Sequence, residues 1–423
     1  MTEKTTQKML DFIQESPCSY FAVDSIRRRL LADGFRELKE SETWTILPGE
    51  RCFTIRGGSV FSFCLPGKKP HRLRITAAHS DSPTLKLKPG KALISGNFVR
   101  LNIEKYGGVV LPSWIDRPLS LAGRVFVREG DKIAMKLVYP DRDLLIIPSL
   151  APHVSAGDKE LSAQNHMLPI LSADGDELAL ERVLAECGVD PKSVLGMDLF
   201  VVSRLKPTIW GLNSEFASAP RLDDLACVYC TLEGFLKSEA VDDVLLHCVF
   251  DNEEVGCKSK QGADSSFLRD VIDRICCAYS MDADERCAML ADSFFLSADN
   301  AHASHPAYPG ANDPVNSPKL NGGVVLKYQA GQKYATDGYT AAVLHCISAD
   351  HKIPLQDYTN HSDLRGGYTL GNISNSHVSM HTADIGIAQL AMHSSYETMG
   401  AEDPMRMSAL AQAFYTDPIP ALL

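Results

Sequence analysis

The sequence predicts an α/β protein in which a mixed sheet carries helices on both faces and is interrupted by a β-rich insert. Three patterns indicate this class. After Trp210, strand-like and helix-like apolar segments alternate, which is typical of an α/β sheet. From about residue 90 to residue 203, helical periodicity mostly disappears and short β-type runs lie between Gly, Pro and Asp residues. Helix-like and short strand-like segments precede that stretch.

The individual elements follow from apolar spacing. Before the insert, the spacing predicts helices over residues 5–15 and 22–32 and strands over 52–55, 59–64 and 73–78. Inside it, the clearest strands are 123–128 and 134–139. After it, the predicted order is helix 223–237, strand 244–250, helix 266–278 and strand 293–298. One boundary at each end then predicts a discontinuous α/β domain, 1–90 with 206–423, around an inserted β-rich domain, 91–205.

Composition and charge restrict the partners. The 423 residues are 45% hydrophobic and 22% charged, as in a globular protein. A formal net charge of −11 repels phosphate backbones and anionic lipids, so we expect neither nucleic acid nor membrane as a partner. The amino-terminal segment lacks the apolar core of a signal peptide, and no run approaches about 18 apolar residues. These features predict a cytoplasmic protein.

The twelve cysteines stand at irregular spacings, which predicts reduced thiols that mostly pack in the core. Cys227 and Cys230 have CxxC spacing, but they lie in a helix-like run and no second CxxC completes a zinc site. We interpret this pair as packing residues.

Polar residues of the types that can bind metals stand directly after several apolar runs. His79 and Asp81 follow RITAA, Glu253 and Glu254 follow VLLHCVFDN, and Asp299 follows SFFLSA. Because ligands gather at the carboxyl ends of strands in open α/β sheets, these positions predict one shared site. Neighbouring carboxylates in a turn can serve separately as metal ligand and general base.

Each of these residues also has an ordinary structural interpretation. Taken on their own, the two glutamates are better explained as solvated loop acids. His79 alone is compatible with a satisfied buried histidine, and Asp299 alone with a helix N-cap. Two adjacent divalent ions need about five His, Asp or Glu ligands, and the sequence offers such a set only when these segments are combined.

Several segments carry a family resemblance. The motifs AAHSDSP (77–83), RLDDL (221–225), FDNEEVG (250–256), SADNAHASHPAY (297–308) and AQLAMHSSYE (388–397) resemble, in the same order, those of the M18 aspartyl aminopeptidases. The segments YGGVVLPSWIDRPLSLAGRV (106–125), IPSLAPH (147–153) and QKYATDG (332–338) extend the resemblance over nearly the whole chain. It implies a zinc-exopeptidase-like catalytic domain with an inserted β-rich dimerisation domain.

The resemblance also implies roles for individual residues. The five metal ligands would be His79, Asp223, Glu254, Asp299 and His393. Asp223 would bridge two divalent ions, with zinc expected and cobalt or manganese as alternatives. Glu253 would be the general base, and Asp81 would orient His79 from behind. Asp224 departs from the family, which usually has Asn there, and so adds a charge beside the bridge.

Further roles follow from the same resemblance. His302 and His305 match positions near the substrate carbonyl. Asn312 and Asn316 take the places of two further family histidines. Lys327, with Lys333 nearby, matches a lysine suited to an acidic substrate side chain, although a solvated lysine is the ordinary interpretation.

The implied reaction is removal of the amino-terminal residue, preferentially Asp or Glu, from peptides by a metal-activated water. The implied assembly is a tetrahedral dodecamer built from dimers, in which His153 reaches a neighbour's active site; a histidine that only packs at the rim is the alternative. Two other function classes stay open from the sequence: a non-catalytic shell or binding protein on the same fold, and a related di-metal amidase or deacylase.

Overall fold

The computed structural model describes residues 2–154, 160–364 and 366–420. We number its elements in chain order. The helices are α1 (Thr2–Glu15), α2 (Ser19–Ala32), α3 (Ala163–His166), α4 (Ala179–Glu186), α5 (Leu222–Leu236), α6 (Phe267–Ala278), α7 (Ala283–Ala291), α8 (Gly338–His351), α9 (Leu370–Asn375) and α10 (Asp403–Thr416). The strands up to residue 138 are β1 (Arg36–Leu38), β2 (Arg51–Arg56), β3 (Ser59–Cys64), β4 (Leu73–His79), β5 (Thr84–Leu87), β6 (Leu93–Ser95), β7 (Phe98–Arg100), β8 (Ile103–Tyr106), β9 (Leu119–Glu129) and β10 (Lys132–Val138). The later strands are β11 (Ile170–Ser172), β12 (Val194–Ser203), β13 (Thr208–Trp210), β14 (Phe216–Ala219), β15 (Val244–Phe250), β16 (Phe294–Ala298), β17 (Ala301–His302), β18 (Val324–Tyr328), β19 (Leu355–Thr359), β20 (His381–Gly386), β21 (Ala388–Leu390) and β22 (Glu397–Gly400).

A nine-stranded mixed sheet forms the main layer, with strand order β1-β2-β3-β15-β4-β16-β20-β18-β19. The central strands β15, β4, β16 and β20 run parallel, whereas β3 and β18 pair antiparallel with their inner neighbours. Every residue of β4, β15 and β16 is buried. Strands covered on both faces read as continuous apolar runs, which is why the sequence revealed them.

Helices cover both faces of this sheet. One face packs against α1, α2, α5, α8 and α10, and its core includes Phe12, Tyr229, Leu344 and Phe414. The opposite face packs against α6, α7 and α9 around Phe61, Phe267 and Leu370. The predicted α/β class, with helices on both faces of a mixed sheet, is confirmed.

The β-rich part forms a second core. A five-stranded antiparallel sheet has the order β10-β9-β12-β5-β8, and a three-stranded sheet has the order β11-β7-β6. Strand β5 begins at Thr84 and pairs with β12 and β8, so strand pairing of this part starts before residue 91, the expected boundary. Sequence spacing missed β5 because its four residues alternate between buried and half-buried positions.

A smaller sheet, β13-β14-β22-β21-β17, follows the insert and carries several site residues. The cysteines are unpaired, and both Cys227 and Cys230 are fully buried in α5. Their packing interpretation therefore holds. Among the described helices, none combines the length and the apolar character needed to cross a membrane.

Candidate active site

Three adjacent parallel strands bring distant polar residues to one edge of the main sheet. In the parallel pairing of β4 with β15, His79, the last residue of β4, lies opposite Phe250 at the end of β15. On the other side of β4, Ala77 pairs with Ser297 of β16, two residues before Asp299. The residues that follow these strands therefore meet at the carboxyl edge, as strand order in open α/β sheets predicts.

His79, which lies at this edge of the sheet, faces the carboxylates of Asp223 and Asp299. Its Nε2 atom lies 3.5 Å from Asp223 Oδ1 and 3.7 Å from Asp299 Oδ1. Its Nδ1 atom lies 3.1 Å from the Asp81 carbonyl oxygen and 3.5 Å from the Asp81 carboxylate. The ring is 1% exposed, so these contacts fix its orientation.

Asp223 stands at the start of α5 and divides its two oxygens between different partners. Oδ1 faces His79, whereas Oδ2 lies 3.7 Å from His393 Nε2. The neighbouring Asp224 turns away from this centre, because its Oδ2 accepts the His79 main-chain N–H at 3.1 Å. Asp224 therefore binds the main chain of His79, and it belongs to none of the candidate metal groups formed by the described residues.

His393 completes the far side of the centre from the loop between β21 and β22. Its Nε2 lies 3.5 Å from Glu254 Oε2, and its Nδ1 lies 3.1 Å from the Gly108 carbonyl oxygen. A Cβ atom at Gly108 would stand 2.9 Å from this Nδ1. Only glycine therefore lets the main chain of residue 108 approach the ring.

Asp81 supports the turn that carries the two glutamates. Its Oδ1 accepts the Glu253 N–H at 3.1 Å, and its Oδ2 accepts the Glu254 N–H at 3.2 Å and the Tyr106 hydroxyl at 2.8 Å. His79 is closer to the carbonyl of Asp81 than to its carboxylate. The carboxylate therefore holds the glutamate turn in addition to facing His79.

The centre has an excess of buried negative charge. Burial raises the pKa of the Glu253 carboxyl to about 8; His79 opposes this rise, and Asp299 adds to it. Burial and the charge of Asp223 raise the pKa of Glu254 well above its usual range. Several carboxylates buried together are unfavourable unless cations compensate them.

The donor set fits divalent cations. Ligand atoms come within 4.8 Å of one another in three groups: His79 with Asp223 and Asp299, Asp223 with Glu254 and His393, and His79 with Glu253 and Glu254. Two ligands about 2.0 Å from a tetrahedral zinc lie roughly 3.3 Å apart, close to the separations seen here. Asp223 Oδ1 is also a buried oxygen without a hydrogen-bond partner in the described chain.

The centre opens into a cleft of about 340 Å³. Its wall includes His302, Tyr334, Tyr358, Tyr368 and Lys327. Lys327 is 2% exposed, and its Nζ lies 3.2 Å from Asp299 Oδ2 and 3.1 Å from the Asn300 carbonyl oxygen. Burial opposes the charge of Lys327, but Asp299 raises the pKa of the ammonium above its usual range. This cation is therefore already paired with a candidate metal ligand.

Other expected residues lie away from the described cleft wall. Lys333 Nζ donates to the Gly366 carbonyl at 2.7 Å. His305 packs against Tyr308 with ring centroids 5.0 Å apart. His153 is exposed in a short turn of the insert, and Asn312 and Asn316 form hydrogen bonds within their loop and to the adjacent strand β19. Within one chain, the structure brings none of these residues to the centre.

Sequence reasoning missed two supporting residues. Glu397 accepts the main-chain N–H groups of Asp223 and His393 at 3.0 and 2.8 Å. The Tyr106 hydroxyl lies between Asp81 and the Asn252 side chain, at 2.8 and 2.7 Å. Both stand inside motifs already noted, but only their position in the fold reveals their contacts.

Comparison with known proteins agrees with this geometry. The family described as "Aminopeptidase I zinc metalloprotease (M18)" matches residues 12–415. A relative in Clostridium novyi (strain NT), the "Probable M18 family aminopeptidase 2", is 38% identical over 97% of this chain and 98% of its own length. Among solved structures, a chain of the Ape4 and Nbr1 complex superposes with a TM-score of 0.94 at 31% identity and covers 98% of this chain and 86% of its own. The S. cerevisiae mApe1 dodecamer gives a TM-score of 0.87 at 25% identity and covers 98% of this chain and 96% of its own. This chain therefore belongs to the M18 family of metallo-aminopeptidases, which hydrolyse amino-terminal residues from peptides.

Proposed function

We propose that this protein is a co-catalytic aminopeptidase with two divalent ions, with zinc as the expected metal. The observation that carries the proposal is the division of the Asp223 oxygens: Oδ1 lies 3.5 Å from His79 Nε2, whereas Oδ2 lies 3.7 Å from His393 Nε2. Asp223 also belongs to two of the candidate metal groups. One carboxylate shared between two ligand groups is an arrangement typical of two adjacent ions.

The ligand groups define two cation positions. His79, Asp223 and Asp299 form the first, and Asp223, Glu254 and His393 form the second. When bound, the two ions supply Lewis-acid polarisation of the scissile carbonyl and make an attacking water more acidic. Cobalt and manganese remain alternatives to zinc, because His nitrogen and carboxylate oxygen bind all three metals.

Glu253 is proposed as the general base. It borders the cleft and stands outside both groups that contain Asp223, although its carboxylate also groups with His79 and Glu254. We assign it to proton transfer because His79 and Glu254 each have a place in a group around Asp223. From this position the Glu253 carboxylate would take a proton from water and return it to the leaving amine. His302 also borders the cleft, where an imidazole N–H would stabilise the developing oxyanion.

Preference for an acidic amino-terminal residue is a separate proposal. It rests on the family resemblance and on the position of Lys327 in the cleft wall. Because the Lys327 ammonium is paired with Asp299, a substrate carboxylate would share this cation with a metal ligand. Lys333 contributes indirectly at most, since its ammonium binds the Gly366 carbonyl.

Assembly is proposed from the relatives. The S. cerevisiae structure of mApe1 is described as a dodecamer, and we propose that this chain also forms a homo-oligomer of that kind. The β-rich insert would form the dimer contact, and exposed His153 would reach a neighbour's cleft. We also propose that the insert is a separate domain, whose strand pairing begins with β5 and ends with β12.

Two neighbouring variants test the catalytic proposal. Glu253→Gln should retain two ions per chain, because the amide keeps the shape, and should lose nearly all turnover of amino-acid nitroanilides. Glu254→Gln is the matched variant and should lose an ion as well, because it alters a ligand. Metal content is measured by plasma mass spectrometry. Activity of Glu253→Gln within about tenfold of wild type, a barrier change of only about 1.4 kcal/mol, would refute the base assignment.

A further inference from the structure

Glu397 connects the main-chain segments that carry two candidate ligands. It is 1% exposed; Oε2 accepts the Asp223 N–H at 3.0 Å, and Oε1 accepts the His393 N–H at 2.8 Å. Among the described residues, it belongs to no candidate metal group and lies outside the cleft wall. We propose that Glu397 is a positioning residue that fixes the spacing of Asp223 and His393 and so sets the affinity of the second cation position. This inference rests on the proposed two-metal function.

The carboxylate of Glu397 is itself held in place. Gln389 Nε2 lies 3.5 Å from Glu397 Oε1, and Gln389 Oε1 accepts a hydrogen bond from Asn300 Nδ2 at 2.9 Å. The same Asn300 amide donates to the Leu222 carbonyl, directly before Asp223, at 2.8 Å. Glu397, Gln389 and Asn300 are all nearly inaccessible to solvent, so water does not compete for these contacts.

Loss of an acceptor at Glu397 should move His393 more than Asp223. Asp223 lies among buried residues at the start of α5, although its own φ and ψ are not helical, and the Ser82 hydroxyl donates to its carbonyl at 2.7 Å. His393 instead lies in the loop between β21 and β22, with φ at 68°. A residue in a strained loop conformation depends more on the contacts that hold it. The effect should therefore fall on the position that uses His393, while the position of His79, Asp223 and Asp299 is retained.

Glutamine is the informative replacement. A carboxylate can accept hydrogen bonds from both main-chain N–H groups. An amide has one acceptor oxygen, so its NH₂ group would face the second N–H and place two donors against each other. Glu397→Asp keeps both acceptors but shortens their reach by one methylene. Glu402→Gln is the control, because Glu402 is an exposed acid nearby that pairs with Arg406 on the surface.

The test is zinc binding to the metal-depleted full-length protein, measured by equilibrium dialysis with plasma mass spectrometry. Wild type and Glu402→Gln should bind two ions per chain. Glu397→Gln should bind one ion with nearly wild-type affinity and the second about 10–100-fold more weakly, as for other residues that orient metal ligands. Glu397→Asp should fall between wild type and Glu397→Gln.

Two results would overturn the positioning role. Unchanged binding of both ions by Glu397→Gln would show that the hydrogen bonds do not set affinity. Equal weakening of both ions, with lower thermal stability of the metal-free protein, would show a general structural role. If wild type itself bound fewer than two ions, the two-metal proposal would fail first and this inference with it. The number of ions bound by wild type therefore distinguishes failure of the two-metal proposal from failure of the positioning role of Glu397.

Discussion

Lys327→Met should lower activity on every substrate, because the Lys327 ammonium forms an ion pair with Asp299, a candidate metal ligand. Its Nζ lies 3.2 Å from Asp299 Oδ2 and 3.1 Å from the Asn300 carbonyl oxygen. The methionine retains most of the apolar length but removes the ammonium. Asp299 would then keep a buried charge without its nearest cation, and its oxygen would be free to turn away from His79.

The size of the effect follows from burial of the pair, whose side chains are 2% and 14% exposed. Removing one partner of a buried ion pair costs about 3–5 kcal/mol. With an unfolding entropy near 2.1 cal/mol/K per residue, this lowers the melting temperature of the 423-residue metal-free protein by about 3–6 °C. Displacement of a metal ligand should lower kcat/KM by about 10–100-fold.

The assay compares kcat/KM for Asp, Glu, Ala and Leu nitroanilides. The ion pair with Asp299 predicts a loss on all four, whereas a lysine that only binds substrate predicts a loss confined to Asp and Glu. Lys333→Met is the matched control, since the Lys333 ammonium donates to the Gly366 carbonyl, and this variant should stay near wild type. A loss restricted to acidic substrates, with an unchanged melting temperature, would refute the supporting role of the Lys327–Asp299 ion pair and leave Lys327 with substrate recognition alone.

Three further predictions test the centre and the assembly. Asp223→Ala should lose both ions because Asp223 is shared, whereas His393→Ala should lose one; full occupancy in either variant, measured by plasma mass spectrometry, would contradict the ligand groups. Chelation with EDTA should lower the melting temperature and zinc should restore it, because an ion at 1,000 times its Kd stabilises the folded state by about 4 kcal/mol; no shift would argue against a resident metal. Mixing inactive Glu253→Gln with inactive His153→Ala subunits should restore activity if His153 acts across an interface; subunit exchange confirmed by native mass spectrometry without recovery would refute that role.

The main elements could be predicted because their apolar pattern is local. Strand β15 was expected over the same residues, 244–250, and β4 extends only one residue beyond its expected end at 78. Both strands are buried on each face and so read as apolar runs. Strand β5 was missed because four residues with a weak alternation carry little signal, and one of its two pairing partners, β12, lies over a hundred residues away.

The site residues, like the secondary-structure elements, include some that could be predicted from the sequence and some that could not. Residues directly after strands, such as His79 and Asp299, could be placed together because parallel strands share an edge. The assignment of Glu253 as base and Glu254 as ligand came from the resemblance and stays a prediction, because one candidate metal group contains both glutamates. The contacts of Lys327 and Glu397 could not be predicted, because each joins segments that are distant in the sequence.

The sequence by itself determined the α/β class, the family and the residue types that meet at the centre, because burial pattern and motif order are properties of the chain read locally. Only the tertiary structure decided what each polar group binds. It pairs Lys327 with Asp299, commits the Asp81 carboxylate to the glutamate turn and sets Glu397 beneath Asp223 and His393. Hydrogen bonds and ion pairs depend on separations of about 3 Å, and chain folding sets these separations between residues that are remote in the sequence.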